Sequence, residues 1–346
     1  MKQVRIFEKQ LVKDVKNLVA AKCTNVHTGK TLSLYNEYVK KVVDMRAPLD
    51  SEQLTDLMVN FSVSSGMTLA DIIFGPQTGK CYGTVKETCR HLAVTKRTIF
   101  AWSLQKNLYS FDPDLALVLL NNRGKIDDIP PDILSRLPDF GVAVSNEIPI
   151  INFNGQLLRN FLVSYVDHKL HINIAYEDQN FPYDYHNFCC DLKHESIKEV
   201  LQQLEKSANQ SNTELLKGIL PFILYLCSDN FRSEMEPNIS TSVKSPKKNL
   251  TFVPPSNVRI KQIGKNDGDI IRAFNKRDKE YDTEVKLTGR TVKPHIRKGH
   301  WHSFWKNVGT ERILTTKFLL PIFVNMNKEE VKVWVRPNLK KLFVKY

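Results

Sequence analysis

The spacing of apolar positions changes character along the chain. Through residues 1–45 apolar side chains recur at helical spacing, at Phe7, Leu11, Val15, Leu18 and Val19, with lysines between them. Residues 50–75 mix helical and strand signals, and Gly75-Pro76-Gln77-Thr78-Gly79-Lys80 marks a turn. Residues 86–104 predict one or two helices. Asp112-Pro113 predicts a helix start, with Asp112 as cap and Pro113 in the first turn. Pro130-Pro131 opens a short helix over 132–137, stopped by Pro138.

The centre then changes to strand-like residues. Segments 141–145, 157–166, 170–176 and 185–192 predict strands, with Val166-Asp167-His168-Lys169 as a hairpin turn. Ser196 and Glu199 form a capping box that opens a helix. The apolar run around Gly218 and Pro221, residues 213–228, predicts a buried central helix. Strand signals follow at 251–253, 258–263, 295–305, 312–318 and 321–325, with a helix near 269–276 and edge strands at 331–335 and 342–346. The pattern predicts an α+β protein. It divides into a mainly helical N-terminal region (1–90), a mixed sheet-and-helix core (91–228), a polar linker (229–249) and a basic β-rich C-terminal region (250–346).

Charge sharpens the division. Of 346 residues with net charge +13, positions 241–346 hold 24 basic and 9 acidic side chains, a net of +15. The first 240 residues are slightly acidic. Such asymmetry points to a polyanionic partner for the last third, most simply nucleic acid. No apolar run is long enough to predict a membrane helix, and the charged N-terminus does not read as a signal peptide. Six scattered cysteines without a CxxC pair fit a reduced, cytoplasmic protein.

Candidate chemistry concentrates in residues 293–306, with three histidines, two tryptophans and clustered basic residues. On one regular strand, His300 and His302 would share a face with Lys298, and His295, Arg297, Trp301 and Trp305 the other. A bulge at Gly299 would bring His295 round to His300 and His302. Cationic groups beside flat aromatics suit a phosphate backbone and stacked bases. The expected nucleic-acid surface comprises Lys293, Arg297, Lys298, Trp301, Trp305, Lys306, Arg312 and Lys317, with Arg259 and Lys261 on a neighbouring strand. Alternatively, His295, His300 and His302 could serve as acid and base in RNA cleavage, since imidazole titrates near neutrality. A zinc site lacks suitably spaced cysteine or acidic partners, and no metal or other cofactor is expected. Asp267, Asp269, Glu280, Asp282 and Glu284 read as an exposed polar loop. Residues 86–104 also resemble a helix-turn-helix, with Ala93 at the turn and Lys96 and Arg97 opening a DNA-reading helix. The segment 75–81 lacks the spacing and the Ser/Thr of a phosphate loop.

The stretch Pro294-His295-Ile296-Arg297-Lys298-Gly299-His300-Trp301-His302, followed by Phe304-Trp305, Lys317 and Pro321-Ile322-Phe323-Val324-Asn325, resembles a known family. It is similar to the anti-CRISPR proteins against type V-A effectors that block effector biogenesis. Ala101-Trp102 to Tyr109, residues 133–140, Leu216 to Cys227, and Phe252-Val253-Pro254 with Gln262-Ile263-Gly264 match the family in the same order. The chain departs from it at Phe140 and Leu320, where the family carries Trp, and at Lys306-Asn307, where it carries Gly. The resemblance implies a protein that recognises the nascent N-terminal peptide of a CRISPR effector and causes translation-coupled loss of its mRNA. Its partners would be that peptide, mRNA or the ribosome, and a host nuclease, all in the bacterial cytoplasm and without a membrane. Binding and recruitment are the first reading, with ribonuclease or DNA-binding regulator as alternatives.

Overall fold

The computed structural model describes residues 2–25, 27–45, 48–65, 84–122, 126–153, 156–176, 184–206, 210–234, 255–284, 295–297, 299–308 and 311–324. The fold is α+β. At its centre lies a mixed six-stranded sheet built from β3 (Asn107–Phe111), β4 (Val142–Ser145), β7 (Asn160–Val166), β8 (Lys169–Tyr176), β9 (Asp184–Asp191) and β10 (Arg259–Ile263), in the order β10-β3-β4-β7-β8-β9. The pairs β10/β3 and β3/β4 are parallel and the rest antiparallel. A two-residue turn joins β7 to β8. Asp167 and His168 both adopt positive φ, 47° and 56°, the geometry that matches the twist of a tight hairpin.

Period-two alternation sends successive side chains of this sheet into two cores. Phe161 and Val163 of β7 face a core with β3's Tyr109 and Phe111, while Leu162 faces the other with Leu108 and Ala143. The second core is covered by α1 (Lys2–Ala20), α2 (Leu34–Met45), α3 (Ser51–Ser65) and α4 (Val85–Ser103), with a small hairpin, β1 (Lys22–Thr24) and β2 (Thr31–Ser33), between the first two. In α1 the buried positions are Val4, Phe7, Leu11, Val15 and Leu18, together with Asp14, as helical periodicity requires. Val19, expected among them, is 40% exposed because it lies one step past the buried stripe.

The opposite face carries α5 (Pro113–Asn121), a 3₁₀ turn (Pro131–Arg136), α6 (Ile197–Lys206), α7 (Gln210–Cys227), α8 (Asp229–Glu234) and α9 (Lys265–Glu284). Asp112 caps α5 by accepting from the Asp114 and Leu115 N–H groups. The run Leu215–Cys227 of α7 is buried almost throughout, as its apolar sequence predicts. At the start of α6, Ser196 Oγ accepts from Glu199 N at 3.3 Å. Glu199 itself reaches Glu195 N, not Ser196 N, so only half of the expected box forms. A short pair, β5 (Ile151–Phe153) and β6 (Gln156–Leu158), completes this side.

Three expectations need revision. Instead of a helix-turn-helix over 86–104, one uninterrupted helix runs over Val85–Ser103. Ala93 is buried on its inner face, and Arg97 is 2% exposed, donating to Leu49 O and Ser51 Oγ, so the turn does not form and Arg97 is not available to read DNA. The stretch expected as a linker begins with a helix, Asp229–Glu234, and its remainder falls outside the described residues. Asp267, Asp269, Glu280, Asp282 and Glu284 belong to the helix α9, not to a loop. The expected turn at 75–80 and strands at 251–253, 331–335 and 342–346 lie outside the described residues. Among the described residues no helix is long and apolar enough to cross a membrane.

Candidate nucleic-acid interface

The histidine-rich segment builds two separate strand pairs. β11 (His295–Arg297) pairs with β14 (Ile322–Val324), while β12 (His300–Val308) pairs with β13 (Glu311–Leu319), both antiparallel. The single regular strand expected over 295–305 is therefore divided between two pairs, β11 ending at Arg297 and β12 starting at His300. Gly299 sits at the break because a Cβ there would press on the Phe318 ring, at 3.0 Å. His295 and Arg297 lie on β11 opposite Val324 and Ile322. Lys293 and Lys298 fall outside the described residues.

The β12–β13 ribbon gathers most of the other candidates. His300, His302, Phe304 and Lys306 take one face, and Lys317 is the direct cross-strand partner of His302. The His302 and Phe304 rings stack with centroids 6.0 Å apart. Trp301, Ser303 and Trp305 take the other face, opposite Phe318, Thr316 and Leu314. Ser303 and Thr316 hydroxyls are 3.0 Å apart, a cross-strand hydrogen bond.

The two tryptophans do different work. Trp301 is 8% exposed and meets Phe318 edge-on at 5.1 Å within the main core. It is an anchor of the ribbon, not a base-stacking residue, which corrects its expected place on the nucleic-acid surface. Trp305 is 60% exposed, with the Arg312 guanidinium 5.6 Å from its ring. That pair presents a flat aromatic and a cation to solvent, while exposed Lys306 stands on the opposite face of the ribbon.

The ribbon's root is fixed by residues that the sequence did not single out. Asn230 of α8 accepts from Phe318 N at 2.9 Å and donates to Phe318 O at 3.1 Å, completing its backbone pairing from the side. Arg136 donates to Leu314 O at 2.6 Å. Asp267 accepts from Tyr225 Oη at 2.8 Å and also faces Lys317; burial raises its pKa, opposed by these hydrogen bonds and the lysine's charge. Lys317 itself is half-buried on the ribbon face that carries His302.

Arg259 and Lys261 lie on β10, in the central sheet and not in the ribbon. Arg259 is exposed. Lys261 turns back over the Tyr109 ring, 5.6 Å from its centroid, towards a buried network in which Tyr109 Oη and Asn107 Nδ2 donate to Asp139. Burial lowers the Lys261 pKa and raises that of Asp139. Lys261 is therefore half-buried over an aromatic ring and not a fully solvated cation. Among the described residues no three His, Cys, Asp or Glu side chains are grouped to hold a metal ion.

A mixed sheet between two helical layers, carrying an exposed ribbon with aromatic and basic side chains, defines the class of the protein as α+β. Within that class the chain belongs to the anti-CRISPR type V subtype A2 family: the AcrVA2-like family model matches residues 109–326, from β3 through the ribbon. The fold is also similar to the crystal structure of AcrVA2, at 18% sequence identity and a TM-score of 0.54 over 92% of this chain and 98% of that one. No curated protein matches it in sequence.

Proposed function

We propose that the protein suppresses a type V CRISPR effector at the stage of its synthesis, binding the nascent N-terminal peptide of the effector together with mRNA or ribosomal RNA and causing translation-coupled loss of the message. One observation carries the reading. The residues matched by the anti-CRISPR family model include the whole ribbon, and the ribbon exposes Trp305, Arg312 and Lys306 while its root is locked into the core. Exposed aromatic and cationic groups suit single-stranded RNA, because every base offers a face to stack on and every phosphate a charge. The place of action is the bacterial cytoplasm, and loss of the message is assigned to a recruited host nuclease.

The test is capture of stalled ribosomes. Ribosomes displaying the effector's N-terminal peptide should be retained by the immobilised protein, and ribosomes displaying an unrelated peptide should not. Equal retention of both would remove nascent-chain recognition from the account.

A ribonuclease reading has one observation in its favour. His300 and His302 share a ribbon face, with Lys317 opposite His302. Replacing both histidines with Gln separates the readings: a nuclease loses turnover and keeps RNA affinity, whereas a binding surface keeps message loss in proportion to affinity.

A further inference from the structure

Between the C-terminal half of α1 and the chain entering β10 lies a groove of about 280 Å³. Its floor and walls are aliphatic, from Val12, Val15, Val19 and Val258, closed below by the fully buried Trp102. Three lysines rim it: Lys16, Lys22 and Lys106. Among the described residues none of the three forms an ion pair with an acid. Lys106 is held in place by the backbone. It has a left-handed conformation, φ 52°, its carbonyl accepts from Arg259 N at 2.9 Å, and its ammonium reaches only the Ser256 carbonyl, at 3.4 Å. Partial burial lowers its pKa, so a nearby anion would restore favourable charge. An aliphatic floor under an unpaired cationic rim is complementary to a ligand that is apolar and acidic at once.

The chain that walls the groove at Ser256 and Val258 leads directly into β10, the last strand on that side of the sheet among the described residues. An edge strand offers main-chain hydrogen bonds to an extended chain. Among the described residues no aromatic ring is exposed in the groove on which a base could stack, since Trp102 is covered. These features favour a peptide over RNA.

We propose that this groove is the docking site for an extended peptide segment in which aliphatic and acidic side chains alternate, the aliphatic groups on Val15, Val19 and Val258 and the carboxylates at Lys16, Lys22 and Lys106. The proposal deepens the nascent-peptide reading and rests on it for the identity of the partner.

The test is fluorescence anisotropy on the full chain with two labelled probes: a synthetic peptide copying the effector's N-terminus, and an alternating Leu-Glu peptide. The Lys16→Glu/Lys22→Glu double variant changes two exposed positions, and Val19→Asp places a carboxylate on the groove wall. Both variants should fold, checked by circular dichroism. Each should weaken both probes roughly tenfold or more, as charge reversal beside a bound carboxylate does. If the effector peptide binds wild type and variants equally, the groove assignment falls and nascent-chain recognition stands. If the Leu-Glu probe alone binds, and the variants weaken it, the groove stands and the effector peptide is not its partner. If neither probe binds wild type, both assignments fall.

Discussion

The root and the tip of the β12–β13 ribbon are four residues apart, on the same face of the same strand, and serve different ends. At the root Trp301 packs on Phe318 inside the core, with Asn230 closing the backbone at its side. At the tip Trp305 stands in solvent under the Arg312 guanidinium. Alternation along a strand assigns side chains to faces. It does not say how far along its length the face is covered, and here cover comes from α8 and the 3₁₀ turn, which end beside Phe318 and Leu314. The ribbon is thus a lever with one end held by core packing and the other offered to a ligand.

The strongest way to break that contrast is to truncate both rings. Trp301→Ala should cost about 3–5 kcal/mol of stability, the usual effect of emptying a large aromatic site, read by urea unfolding. Trp305→Ala should leave stability within about 0.5 kcal/mol, as exposed substitutions do. On the proposed function it should instead weaken single-stranded RNA binding by about 1–3 kcal/mol, the usual worth of one stacked base. A smaller effect on folding is expected from Asn230→Ala. It strips a buried backbone N–H and C=O of their partner and should cost about 1–3 kcal/mol.

The root should also respond to pH. Burial raises the Asp267 pKa in the folded protein above its ordinary value of 3.8, so the native state holds its proton more tightly than the unfolded chain. Its contribution is therefore favourable at acid pH and is lost as pH rises from about 3.8 through the folded pKa. Asp267→Asn keeps an acceptor for Tyr225 and should flatten this part of the stability profile, measured by thermal melts across that range. The smallest effect belongs to Arg312→Gln. If Arg312 contacts one phosphate, the salt dependence of RNA binding should fall by about 0.7 in log–log slope.

The sequence was readable where local chemistry decides the outcome. The Asp112-Pro113 cap, the Asp167-His168 hairpin and the apolar α7 all form as their residues dictate. It misled where a distant partner decides. Ala93 looked like a turn residue, yet a capping box at Thr84 and Glu87 starts a helix that runs unbroken to Ser103, burying Ala93 and Arg97. That box satisfies the pattern of Thr followed three residues later by Glu, and was the available signal. Lys261 reads as a solvated strand cation, and only the folded chain shows it half-buried over the Tyr109 ring. Trp301 and Trp305 are equivalent in sequence spacing. Asn230, about seventy residues earlier in the chain, separates them, and no spacing rule reveals it.

The most direct test of the central claim measures effector mRNA and protein in bacteria producing this protein, with the effector's start codon intact or disabled. The account predicts that the message disappears only when it is translated, and that an effector with a recoded N-terminal peptide escapes. Message loss that persists without translation, or no loss in either case, would contradict it.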